Sequence, residues 1–254
     1  GKDLNLPANT VLHGAQQETV VIDFGGTSSS VICNSGYGTA QTAGTIAVTQ
    51  GSNAVVGTGT AFLSLAPGDW ITILNNTYAI ASIPTNTSLT LVQTWRGQTR
   101  SGLNYKALAM FSGLTISDLT IRNSTDVGLN IAGVRRARVS NVAVRNCAGN
   151  INMTDCSESI LKSISCSFSS TSGMTLTSVL TSSFKNMQLI GNASHGVLVL
   201  GDCKNIRFRG VTSSSNGGHG LFCDGSSFAY GTFTDSMFND NAMNGVLAGA
   251  NTLG

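Results

Sequence analysis

From about residue 111 onward, short apolar strings return at a nearly constant interval. GLNIAG starts at Gly128, NINMTD at Asn150, GMTLTS at Gly173, GVLVLG at Gly196, GLFCDG at Gly220 and GVLAG at Gly245. Successive starts lie 22, 23, 23, 24 and 25 residues apart. A second string keeps step with the first: ISDLTIRN at Ile116, VSNVAVRN at Val139, LKSISCSF at Leu161, FKNMQLIGN at Phe184 and FRGVTSSSN at Phe208. A divergent TDSMFNDN follows at Thr234. Within each string apolar and polar residues alternate, the period of a strand with one buried face. Two or three short strands in a repeat of about 23 residues predict a right-handed parallel β-helix. Each coil sets its inward residues above those of the coil below, and the stack buries a core that one coil cannot bury alone. Leucine-rich repeats share the period, but their spacing of Leu and Asn is missing. Asn123, Asn146, Asn192, Asn216 and Asn241 follow the second strands and predict a recurrent turn, because Asn tolerates left-handed backbone.

Between residues 42 and 106 the period is lost. GTIAVTQGSNAVVGTGTAF, PGDWITILNNTYAIASI and NTSLTLVQTW alternate as antiparallel strands do. Asn75-Asn76 and Asn86-Thr87 suit hairpin turns. The expected organisation is all-β: first β-helix coils over 1–41, an inserted small antiparallel barrel or sandwich over 42–106, and β-helix coils over 107–254. Trp70, Tyr78 and Trp95 are either a sugar-stacking face or the filling of a small core.

Composition narrows the class. Charged residues make up 10% and hydrophobic residues 41%, the reverse of a disordered chain. The 30 Gly against 3 Pro fit many strands joined by tight turns. A net charge of +2 gives no reason to expect nucleic acid. No apolar run approaches the roughly 18 residues that would insert in a membrane, and no signal peptide is visible. The six Cys match no metal spacing and read as buried thiols of a protein made in a reducing cytoplasm. No metal and no cofactor are expected.

Stacking turns repeat positions into surface columns. Asn130, Asn152, Thr175, Leu198, Phe222 and Leu247 point outward, and the column changes from polar to apolar. An exposed apolar column is a liability unless covered, so a subunit interface is expected near Leu198, Phe222 and Leu247. An intrachain loop or further chain would serve equally. Lys162, Lys185 and Arg209 form a basic column, with Arg135, Arg136 and Arg138 nearby. It is either a strip for an acidic polysaccharide or a solvated face. His195 and His219 occupy the same place in successive coils and should stack. Asp224 aligns with Leu200, one coil and two residues from Asp202, about 8 Å between backbones. Inverting glycosidases hold two carboxyls roughly 6.5–9.5 Å apart. Asp202 and Asp224 are therefore the candidate acid and base, with His219 or His195 tuning the acid; the alternative is that both Asp residues cap Gly bends. Asp155 and Glu158 are weaker candidates.

Several segments carry resemblances. LNLPANTVLHGA followed by TVVIDFGG resembles the first coil of pectin-lyase-like β-helices, which implies that fold for 1–36 and 106–254. Gly57-Thr58-Gly59-Thr60, Pro67-Gly68-Asp69 and Ser88-Leu89-Thr90-Leu91 resemble a module of tail fibres and tailspikes of tailed bacteriophages. Together they imply a tailspike or tail-fibre-type receptor-binding protein recognising bacterial capsule or O-antigen. Such a protein would be a homotrimer on the virion, among other virion proteins. A polysaccharide hydrolase or lyase, viral or secreted, is the competing expectation, and a purely structural spike the third. NGGHGLFCDG at Asn216 also resembles a catalytic segment of the polygalacturonases. The rest of that signature is missing: no Asn-Thr-Asp or Asp-Asp segment precedes it, no Arg-Ile-Lys follows, and residues 210–254 hold no Lys or Arg.

Overall fold

Period-two alternation puts alternate side chains of each strand into a core. A computed structural model, which describes residues 2–34, 40–74, 76–224 and 228–248, shows how these strands are arranged. The chain forms two compact units, Gly1–Ser35 with Phe111–Gly254, and Gly36–Met110.

The first unit is a parallel β-helix. One sheet stacks Leu4–Leu6, Val31–Cys33, Val127–Ala132, Gly149–Thr154, Met174–Thr177, Val197–Leu200, Leu221–Cys223 and Val246–Ala248. In a second sheet, Val11–His13 and Val21–Thr27 both pair with Thr115–Ser124. Arg138–Arg145, Ile160–Ser167, Ser183–Ile190 and Arg207–Ser214 follow, and Thr232–Thr234 and Met237–Asn239 both pair with the last of these. Val197 pairs with Leu221 in parallel register, as the repeat requires. Inward residues of both sheets form one core from Leu6 to Cys223. A fully buried Val, Leu or Phe in it contributes about 1.5–3 kcal/mol. Phe184, Phe208 and Phe233 stack through three coils at centroid spacings of 5.1 and 5.2 Å.

Left-handed residues make the corners. Asp118, Asn141, Ser163, Asn186, Gly210 and Asp235 share positive φ in successive coils, and so do Asn123, Asn146, Phe168, Gly191, Ser215 and Asp240. This corrects the expected Asn column. Asn123 and Asn146 hold the left-handed corner, whereas Asn192, Asn216 and Asn241 sit one residue later. The coil from Asn146 to Phe168 is one residue shorter than its predecessor, so counting in equal steps slips by one. The later three point inward and form a ladder: Asn192 Nδ2 donates to Asn216 Oδ1 at 2.9 Å, and Asn216 Nδ2 to Asn241 Oδ1 at 2.8 Å. Ser169 holds the ladder position one coil before Asn192; there Asn150 donates to Asn192 Oδ1 at 3.1 Å. The ladder explains the repeated glycine. A Cβ on Gly196 would lie 1.8 Å from Ser213 Oγ and 2.6 Å from the Gly220 carbonyl oxygen.

The second unit is antiparallel. Its sheet runs in the order Arg100–Leu103, Thr45–Val48, Ala54–Thr58, Ser88–Leu91, Asn76–Thr85, Trp70–Ile73 and Tyr105–Leu108. The two edge strands are separated by Asn104 alone, so one stretch of chain pairs with both ends and the sheet closes on itself. Asn86 and Thr87 make the two-residue turn between Thr85 and Ser88; Asn75 of the other expected hairpin lies outside the described residues. Trp95 is buried in this unit's core with Phe62 and Tyr105, and its indole N–H donates to the Gln98 carbonyl at 2.9 Å. Trp70 is also buried but lies outside that core, in the strand whose Ile71 and Ile73 point into it. Tyr78 packs half-buried against that core, and neither Trp is exposed to stack on a sugar.

Candidate functional site

The outward side of the second sheet carries the basic column. Parallel register sets Ser140 beside Lys162, Lys162 beside Lys185 and Lys185 beside Arg209. Adjacent strands lie about 4.8 Å apart, and like charges directly opposite one another destabilise a sheet. All three side chains are exposed. Arg209 reaches Asp235 at 3.6 Å. Lys162 and Lys185 have no ion-pair or hydrogen-bond partner among the described residues. Two residues earlier on the same face, Arg138 and Arg207 are also exposed, in register with Ile160 and Ser183 respectively. Sequence reasoning named Arg138 as nearby charge and missed Arg207, although its spacing from Arg209 places both on one side of a strand. Arg136 is neutralised by Glu158 at 2.9 Å. The face therefore holds an excess of unpaired cations and suits a polyanion.

His195 and His219 are brought together. Their rings stack at 5.3 Å with an interplanar angle of 12°, and Phe222 lies against both. Each Nδ1 accepts a backbone N–H from the next coil: His219 N–H donates to His195 at 3.0 Å, and Asn244 N–H to His219 at 3.1 Å. Burial first, and the neighbouring imidazole second, hold the His195 pKa below its ordinary value. The Asp residues lie at the other end of the strand. Asp224 follows Leu221–Cys223, which alone spans roughly 10 Å, so His219 and Asp224 stand on opposite sides of it. Asp224 is exposed and donates its backbone N–H to the Val199 carbonyl. Asp202 is more withdrawn. Its Oδ2 meets Lys204 Nζ at 3.0 Å, and its Oδ1 is buried without a hydrogen-bond partner. The imidazoles thus serve coil-to-coil bonding and stand apart from both Asp residues at the other end of the strand.

The apolar column has the expected register, Thr175 to Leu198 to Phe222 to Leu247. Leu198, Phe222 and Leu247 are half-buried. All six thiols are free and buried; burial pushes Cys223 up to about 11 and Cys33 up to about 12. Among the described residues no group of three or more His, Cys, Asp or Glu is placed to hold a metal ion. No helix among them is long and apolar enough to cross a membrane.

One cluster escaped sequence reasoning. His13 Nδ1 lies 2.8 Å from Ser117 Oγ and 3.2 Å from Asp118 Oδ2, and Asn141 donates to Asp118 Oδ1 at 2.7 Å. The Asn141 bond first, then Ser117, hold the Asp118 carboxyl below its ordinary pKa. Ser and Asp share one ring nitrogen, whereas a nucleophile triad needs them on opposite nitrogens. Nothing in local sequence signals the cluster, because His13 lies 104 residues from Ser117.

A family model described as a right handed beta helix region matches residues 107–253. No curated protein sequence matches the chain. Among solved structures, the chain is similar to the tailspike protein gp49 from Pseudomonas phage LKA1. The TM-score is 0.65 at 12% identity, covering 92% of this chain and 48% of that one. It is also similar to the Gp54 tailspike of Acinetobacter baumannii bacteriophage AP22, a structure in complex with A. baumannii capsular saccharide. There the TM-score is 0.54 at 10% identity, covering 92% and 47%. The chain spans about half the length of these proteins. At such identities the likeness concerns the fold.

Proposed function

We infer, for a chain that belongs to the right-handed β-helix family, a tailspike or tail-fibre-type module that binds an acidic bacterial surface polysaccharide, capsule or O-antigen. The observation that carries this reading is the stacked, unneutralised pair Lys162 and Lys185 on an exposed sheet face. Such a pair costs the isolated protein stability and is relieved by a bound polyanion. The fold likeness to a tailspike in complex with a capsular saccharide supports the same class of ligand. In this reading the protein acts outside the host cell as part of a virion. Three copies pack their Leu198, Phe222 and Leu247 columns together, covering the apolar strip. Surface plasmon resonance against purified capsular and O-antigen polysaccharides tests it. Binding that weakens with salt and falls in the Lys162→Ala/Lys185→Ala double variant is expected; full affinity in that variant would reject the basic face. Sedimentation velocity tests the trimer, with Phe222→Glu expected to give monomers.

A second reading adds cleavage by inversion at Asp202 and Asp224. It is favoured by the withdrawn position of Asp202, whose buried Oδ1 lacks a partner. Release of reducing ends from a bound polysaccharide, abolished by Asp202→Asn and by Asp224→Asn, is the expected result. Activity unchanged in both variants would end this reading.

A further inference from the structure

Left-handed backbone is inexpensive for Gly and Asn and strained for a bulky side chain. The corner after the second sheet carries Asn123, Asn146, Gly191, Ser215 and Asp240, small or polar residues suited to that conformation, and one Phe. Phe168 adopts φ 56° there. It is also 62% exposed, so little burial offsets the strain. Its ring is nonetheless seated. A Cβ built on Gly191, one coil on, would lie 2.9 Å from Phe168 Cε1 and 3.1 Å from Cδ1. The absence of a side chain at Gly191 lets the ring lie against the next coil. Strained, exposed residues held in place by a built seat concentrate at functional sites. The side chains of Ser167 and Ser170 beside it, and of Asn146 one coil below, are uncharged hydrogen-bonding groups at the surface.

We propose that Phe168 is a stacking platform for the apolar face of an uncharged pyranose residue. It is a subsite that rests on the polysaccharide-binding reading above and is separate from the Lys162 and Lys185 column. A pyranose presents C–H groups on one face and hydroxyls around its rim. The C–H face meets the electron-rich face of the aromatic ring and removes apolar surface from water. Hydroxyls at the rim find the serine and asparagine side chains. A ligand that spans both subsites therefore contains both acidic and neutral sugars.

The test begins with an array of purified capsular and O-antigen polysaccharides. An oligosaccharide of the strongest binder is then titrated into variants. Phe168→Asn places a residue at ease with left-handed backbone, so its melting temperature should equal or exceed that of the unaltered protein. Its affinity should fall about tenfold. Phe168→Trp keeps the platform and should hold affinity within about twofold. Gly191→Asn tolerates positive φ but puts a Cβ against the ring, and should weaken binding as Phe168→Asn does. A crystal of the unaltered protein soaked with the oligosaccharide should show a pyranose over the Phe168 ring. A bare ring in that crystal, or full affinity in Phe168→Asn, would overturn the subsite and leave the basic face standing if the lysine double variant still loses binding. An array with no binder would end both.

Discussion

The backbone N–H of His219 donates to Nδ1 of His195 at 3.0 Å, and the two rings stack at 5.3 Å. One hydrogen bond thus joins two coils and also fixes the tautomer, since an accepting Nδ1 leaves the ring proton on Nε2. Protonating Nδ1 would remove the acceptor and place a charge beside a second imidazole.

Stability should therefore fall in mild acid. The His195 pKa in the folded chain lies below its ordinary value, through burial and then His219. The unfolded chain takes up the proton first. The contribution is complete above about pH 6.5, the unfolded value, and is lost as pH drops through the folded value. Urea midpoints measured from pH 8 downward should decline most steeply just below neutrality, and His195→Gln should flatten that decline. A midpoint that rises as pH falls across the same range would contradict the assignment.

Removing one rung of the asparagine ladder should be costly. Asn216 Oδ1 accepts from Asn192 N at 3.0 Å and Nδ2 at 2.9 Å, while its own Nδ2 donates to the Leu189 carbonyl at 3.1 Å. Asn216→Ala leaves several buried groups unpaired, each costing about 1–3 kcal/mol. A loss of about 3 kcal/mol or more in denaturant titrations is expected.

Lys185 should trade stability against binding. Lys185→Gln removes the repulsion between neighbouring lysines and should raise the melting temperature slightly. The same change should weaken polyanion binding and reduce its dependence on salt. Calorimetry and binding isotherms at two salt concentrations measure both effects.

Two glycines should respond unequally to alanine. At Gly196 a Cβ meets Ser213 Oγ and the Gly220 carbonyl oxygen, well inside contact distance, so Gly196→Ala must displace backbone and should prevent cooperative folding. At Gly25 nothing lies within 4 Å, and positive φ alone costs about 1–2 kcal/mol. Near-native melting for Gly196→Ala would show that the corner is softer than its packing implies.

The sequence alone carried the coil, the pairing of Val197 with Leu221, the basic column and the stacked imidazoles. All follow from a period that side-chain chemistry repeats, because parallel coils convert sequence interval into vertical position. It placed the asparagines one residue wrong, since a single short coil shifts every later corner and composition does not show which coil is short. Tertiary structure decided what no interval encodes. It joined His13 to Ser117, drew Asp202 against Lys204, sank Trp95 into a core and laid the Phe168 ring on Gly191. These depend on where side chains point across corners and on which neighbours leave room, and both are set by packing in three dimensions.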